Sequence, residues 1–236
     1  MKTLLAAVLF LAACHVALAQ QAEVKDKGKE TDYRKLVEGL VSPNKPANCP
    51  IDRSRPEYPP NYDKEAQARI WKNQQMLSDH CEEALPFLIE GCTDSRYSLT
   101  WQSDSYCNNS CVGEVCLELV ASHLEIYRNY LSLPSKKRYY GYRFVPRING
   151  AIGKKVTEEK KKEIEEWWRG RKSKTLLELQ IEAFDWAIEK RIEERNHFFG
   201  GKHDWEVQAA EATKEIKRLV AVRDKLKKDR KCLPPR

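Results

Sequence analysis

Apolar residues in this chain return every three or four positions through most of its length, which is the spacing of one face of an α-helix. The first such stripe is Tyr33, Leu36, Val37, Leu40 and Val41 and predicts a helix near Thr31 to Val41, ended by Pro43. A second runs from Asp63, a predicted cap, to about Ser78, with Ala66, Ile70 and Leu77 inward and Trp71 beside them. A third covers about Glu83 to Cys92, with Pro86 in its first turn, where its missing N–H has no helical partner to lose. A longer stripe, Val112, Cys116, Leu119, His123, Tyr127 and Tyr130, predicts a helix from about Cys111 to Leu131, capped by Ser110.

Three further helices are predicted at the end of the chain. Thr157 caps the first, which carries Ile164, Trp167 and Trp168, and Glu158 and Glu159 suit the positive end of its dipole. Thr175 and Glu178 have capping-box spacing and open the second. Its stripe is Leu177, Ile181, Phe184, Ile188 and Ile192, widened by Leu176, Ala183, Trp186 and Ala187, so it is expected to be the central helix. Gly200-Gly201 breaks it. The third helix starts at Asp204 and carries Trp205, Ala209, Ala212, Ile216, Leu219 and Leu226 before a basic tail.

The pattern fails in three places. Residues 42–62 hold Pro43, Pro46, Pro50, Pro56, Pro59 and Pro60, six of the chain's eleven prolines, and read as an extended linker. Ser95 to Tyr106 reads as a polar loop. Residues 132–157 contain three glycines and two prolines and read as a loop, with at most a short strand at Tyr142 to Val145.

The other departure is at the start. Met1-Lys2-Thr3 precedes an apolar run from Leu4 to Ala13, then Ala17-Leu18-Ala19, the layout of a cleavable signal peptide. Export is therefore expected, secreted or periplasmic, with cleavage after Ala19 and a polar lead over 20–29. Leu11-Ala12-Ala13-Cys14 also resembles the bacterial lipobox, which implies a lipid anchor at Cys14 as the alternative. Every later apolar run is interrupted by charge, so no transmembrane segment is expected.

The organisation expected is a signal peptide over 1–19, a helix and Pro-rich linker over 20–62, helices over 63–133, a basic aromatic loop over 134–156, and C-terminal helices with a basic tail over 157–236. Ala84-Leu85-Pro86-Phe87-Leu88-Ile89-Glu90 and Val112-Gly113-Glu114-Val115-Cys116-Leu117-Glu118-Leu119-Val120 resemble the second helix of one HEAT-type repeat and the first of the next. That resemblance implies an all-α array whose short helices stack to bury their apolar sides and whose concave face takes a protein partner. Trp167-Trp168 to Lys190, taken with these, is similar to exported bacterial helical proteins without an assigned activity.

Charge singles out the candidate contact surface. The formal net charge is +7, and charged residues make up 33% of the chain, enough to wet one face of every helix. The segment 132–157 has no acid, and Lys136, Lys137, Arg138, Arg143, Arg147, Lys154 and Lys155 lie among Tyr139, Tyr140, Tyr142 and Phe144. Cations interleaved with aromatics can hold an acidic polymer by charge and stacking, or an acidic protein surface. Lys214 to Arg236 adds further cations. Outside the cell the polymer expected is acidic polysaccharide, wall polymer or lipid head groups, and no nucleic acid.

Candidate chemistry is thin. There is no Gly-x-Ser-x-Gly, no His-Glu-x-x-His and no glycine-rich phosphate loop. Asp94 and Asp104 near Trp101 and Tyr106 are the one acid pair suited to a sugar cleft, so a hydrolase of unknown class is the weakest alternative. Cys107, Cys111 and Cys116, with His123 beyond them, have spacings that suit one or more disulfides, or simple buried cysteines, better than zinc. Beyond the leader seven cysteines remain, an odd number, so at least one thiol stays free or pairs with another chain. A non-enzymatic interaction or scaffold protein of the cell envelope, with no cofactor and no metal, is the expectation; a module binding extracellular polyanions is the alternative.

Overall fold

The structure, a computed structural model, describes residues 31–50, 55–102, 107–125, 144–146, 152–198 and 204–235. The chain divides into two units, Met1–Asp32 and Tyr33–Arg236. Only residues 31–32 of the first are described, so the leader, Cys14 and the polar lead at 20–29 lie outside the described residues. The fold below is that of the second unit.

Among the described residues it is mostly helical, with one antiparallel pair of strands, referred to below as the hairpin. The elements are α1 (Tyr33–Glu38), α2 (Lys64–Asp79), α3 (Cys81–Gly91), β1 (Tyr97–Gln102), β2 (Cys107–Cys111), α4 (Val112–Leu124), α5 (Glu158–Arg169), α6 (Leu176–Phe198) and α7 (Asp204–Asp229). Local signals set several of their starts. The Ala66 N–H donates to the Asp63 carboxylate at 2.9 Å, and the Lys160 N–H to the Thr157 hydroxyl at 3.4 Å. At α6 the capping box closes both ways: Thr175 N–H donates to Glu178 Oε2 (2.8 Å) and Glu178 N–H to Thr175 Oγ1 (3.2 Å). These bonds satisfy first-turn donors that have no partner inside the helix.

Three expectations change. The stretch read as a polar loop after Ser95 supplies a strand: β1 pairs antiparallel with β2, from Leu99 opposite Ser110 to Gln102 opposite Cys107, with a bulge between Tyr97 and Leu99. Tyr97, Ser98, Leu99 and Thr100 are all buried, so both faces are covered and polar side chains interrupt the alternation that marks a strand. Ser110 therefore lies in β2, and Cys111 takes the N-cap place instead, its N–H donating to Glu114 Oε2 at 3.1 Å.

The central helix is α4, not α6. Val112, Val115, Cys116, Leu117, Leu119, Val120, Ala121 and Leu124 are buried, so α4 is enclosed nearly all round, against α2, α3, the hairpin and α6. It ends at Leu124, where Glu125 turns extended (φ −75°, ψ 132°), and Tyr127 and Tyr130 lie outside the described residues. The buried stripe of α6 is Leu176, Leu179, Gln180, Ala183, Phe184, Ala187, Ile188 and Arg191. Leu177, Ile181 and Ile192 pack only at its edge, because α6 pairs along its length with α7 as well as touching α4. Arg191, buried, is neutralised by Glu194 at 2.6 Å.

The described part of the Pro-rich stretch forms no helix and is strapped down. Ser42 N–H donates to the Tyr97 carbonyl (2.9 Å), Asn44 and Asp63 exchange two bonds (2.9 and 2.7 Å), and Asn109 Nδ2 donates to the buried Ala47 carbonyl (2.7 Å). Proline removes donors, so this segment offers carbonyls and its few remaining N–H groups to the body. One contiguous core joins residues of α2 to α7 with Leu40, Phe144 and Val145. Among the described residues no helix is long and apolar enough to cross a membrane.

Candidate functional site

The described residues on either side of 126–143 belong to the buried interior. Leu124 and Glu125 are buried before it, and Phe144 and Val145 after it. Phe144, one of the aromatics interleaved with the cations of 132–157, is a core anchor. Its ring meets Trp167 edge-on (5.7 Å between centroids, 78°) and Trp186 (6.4 Å, 64°). The Arg171 guanidinium sits 5.1 Å above Phe144 and 5.0 Å above Trp167, and is itself fixed by Glu182 (2.7 Å) and the Trp167 carbonyl (2.9 Å). A guanidinium over two ring faces adds attraction to the area they bury. Farther on, Gly153 N–H donates to the Ser95 carbonyl (2.9 Å), and Lys154 and Lys155 are exposed. Lys136, Lys137, Arg138, Tyr139, Tyr140, Tyr142, Arg143 and Arg147 lie outside the described residues.

The C-terminal cations are described, and helix geometry sorts them. Ala209, Ala212, Leu219 and Leu226 are buried toward α6. Arg218 pairs with Glu215 (2.7 Å) and Arg223 with Asp185 (2.9 Å) and Asp224 (2.8 Å), so these two charges are spent within the fold. Lys214, Lys217, Lys225 and Lys228 are exposed. At 100° per residue they share an arc of about 80° opposite the buried face and extend over about 21 Å. Asp224 borders this stripe and is held by Arg223. The lysine stripe was not singled out from sequence, although its i, i+3, i+11, i+14 spacing was there to read.

Of the acid pair expected to suit a sugar cleft, only Asp94 is among the described residues. Asp94 accepts from Arg96 Nε (2.9 Å) and Nη2 (2.6 Å), while Arg96 also forks onto Glu38 (2.7 and 2.8 Å). Those bonds hold the Glu38 carboxyl below its ordinary range and join α1 to the hairpin. Asp104 and Tyr106 lie outside the described residues.

A shallow cleft is lined by Ser122, His123, Glu125, Gln180, Phe184 and Leu233. Burial pushes the His123 imidazole toward its neutral form. The Ser122 hydroxyl donates to the Leu119 carbonyl (2.8 Å), and the Gln180 amide spans the His123 and Leu233 carbonyls (3.1 Å each). The cleft's polar groups thus join α4, α6 and the C-terminal end.

Of the cysteines singled out by spacing, Cys107 and Cys111 sit at opposite ends of β2, and Cys116 lies buried one turn into α4. Burial pushes the Cys92 and Cys81 thiols up to about 12 and Cys49, aided by its hydrogen bond with Cys107, up to about 11; Cys116 is also raised. Thiols held protonated are weak nucleophiles and weak metal ligands. Among the described residues no three His, Cys, Asp or Glu are grouped to hold a metal ion. Compared with family models, with curated proteins and with solved structures, the chain matches none.

Proposed function

We propose that this is an exported, non-enzymatic interaction protein of the cell envelope, and that its contact surface is cationic: the lysine face of α7 acting with the acid-free segment at 132–157. The observation that carries this is the stripe Lys214, Lys217, Lys225 and Lys228, exposed on the side of α7 away from the core. Charges laid along about 21 Å of a straight helix suit an extended anionic partner such as an acidic polysaccharide. Packing of α3 against α4 supports a HEAT-like pair, with the hairpin inserted between its helices. The leader and the many cysteines support export.

Heparin-column retention tests the surface. Counterion release makes such binding fall steeply with salt, with the log–log slope dropping by about one for each contact removed. The variant K214E/K217E/K225E/K228E keeps helix propensity, because Glu and Lys rank together. It is expected to elute at markedly lower salt with an unchanged circular dichroism spectrum, and R143E/R147E to add to the loss. Retention equal to wild type in the quadruple variant would refute the assignment.

A further inference from the structure

Seven thiols are described, and the fold gathers them into three neighbourhoods. Cys49 follows the strap residues Ala47 and Asn48. The Asn109 side chain donates to the Ala47 carbonyl at 2.7 Å, and Asn48 exchanges two backbone bonds with Glu57 (3.0 and 2.9 Å), so residues 47–49 are held alongside β2. Cys107 lies two residues from Asn109 on the same strand, and after burial the nearness of its thiol is the next cause that pushes the Cys49 thiol up.

Cys81 opens α3 and Cys232 follows α7. Gln180 clamps Leu233 through two bonds, Leu233 N–H to Oε1 (2.8 Å) and Nε2–H to the Leu233 carbonyl (3.1 Å). One turn earlier on α6, Leu176 N–H donates to Glu82 Oε1 (3.3 Å). The 81–82 and 232–233 dipeptides are thus docked on neighbouring turns of α6, where burial and then the Glu82 carboxylate push both thiols up.

Cys92, Cys111 and Cys116 form the third group, all buried. Val112 N–H to the Arg96 carbonyl (2.9 Å) and Gly113 N–H to the Asp94 carbonyl (2.8 Å) hold the start of α4 against the end of α3, and Cys116 Sγ lies directly under Gly91.

We propose that Cys49–Cys107 and Cys81–Cys232 are disulfide bonds in the oxidised protein, and that the odd thiol belongs to the buried trio Cys92, Cys111 and Cys116. Each bond forms by thiol–disulfide exchange with a disulfide oxidant. The two cysteines lose two protons and two electrons as their S–S bond forms, and the oxidant's S–S bond is reduced to two thiols. One bond fastens the proline strap to the hairpin, and the other fastens the C-terminal end to α3. The odd thiol is enclosed, so it is not offered to a second chain.

The test is disulfide mapping of the full chain after equilibration with oxidised glutathione, denaturation in N-ethylmaleimide without reductant, and digestion with trypsin and Glu-C. The expected products are the Cys49 peptide joined to the peptide holding Cys107 and Cys111, and the Cys81 peptide joined to the Cys232 peptide, each lighter by two hydrogens than its separate thiols. Fragmentation between Asn108 and Ser110 places the first link at Cys107, and C111S is expected to keep it. Alkylation of all four cysteines, or a link from any of them to Cys14, to the trio or to a second chain, would overturn the pairing.

Discussion

His123 shows how one buried side chain couples stability to pH. Burial disfavours its charged form, against the pull of the Ser78 backbone, so its folded pKa lies below the ordinary value of 6.5. Below 6.5 the unfolded chain then binds a proton that the folded chain refuses. Stability from this group is therefore complete above 6.5 and is lost as pH falls from there through the folded pKa. The carboxylates that the fold favours, Glu38 by Arg96 and Glu178 by the Thr175 cap, act at lower pH, below their ordinary value of 4.5. Melting temperature is expected to fall between pH 7 and pH 5.5 in wild type and to stay flat over that range in H123Q. Equal slopes in the two would remove His123 as the cause.

At the scale of the element, the junction between β2 and α4 has no room. A methyl group at Gly113 would meet the Cys92 carbonyl oxygen and lie 3.0 Å from that of Asp94, both backbone atoms that cannot rotate aside. G113A is expected to lose about 1–3 kcal/mol by forcing the backbone apart. Gly170, which ends α5 in helical conformation (φ −77°, ψ −6°) with open space around it, is the control. G170A is expected to gain about 0.4–1 kcal/mol, because alanine restricts the unfolded chain. Urea midpoints of the two variants against wild type check both signs. The same junction explains why the hairpin escaped the sequence pattern. Ser98 and Thr100 are buried between elements distant in the chain, and Thr100 is satisfied by Tyr97 (2.6 Å) and Asn109 (2.6 Å). The helix starts were legible, because Asp63, Thr157 and Thr175 each bond within three residues of themselves.

At the scale of the molecule, one core spans α2 to α7. Phe144 and Val145 join it between α4 and α5, so the chain from Tyr33 onward is expected to unfold in a single step. Circular dichroism at 222 nm and tryptophan emission should share one urea midpoint; two separated midpoints would mean that α1–α4 and α5–α7 unfold as separate domains. The candidate contact surface was half legible in the same sense. Charge composition pointed to 132–157 and the tail, but which cations stay free depended on partners far away in sequence, as Arg223 and Asp185 show. Signals carried within a turn or two of chain were enough to determine the helical class, the caps at Asp63, Thr157 and Thr175, and the wet face of each helix. Tertiary structure alone decided that α4 is central, that a polar stretch is a buried strand, that Phe144 is an anchor and which thiols are neighbours. Those outcomes depend on which surfaces meet after the chain folds back, and apolar spacing along one segment says that a face is buried without saying against what.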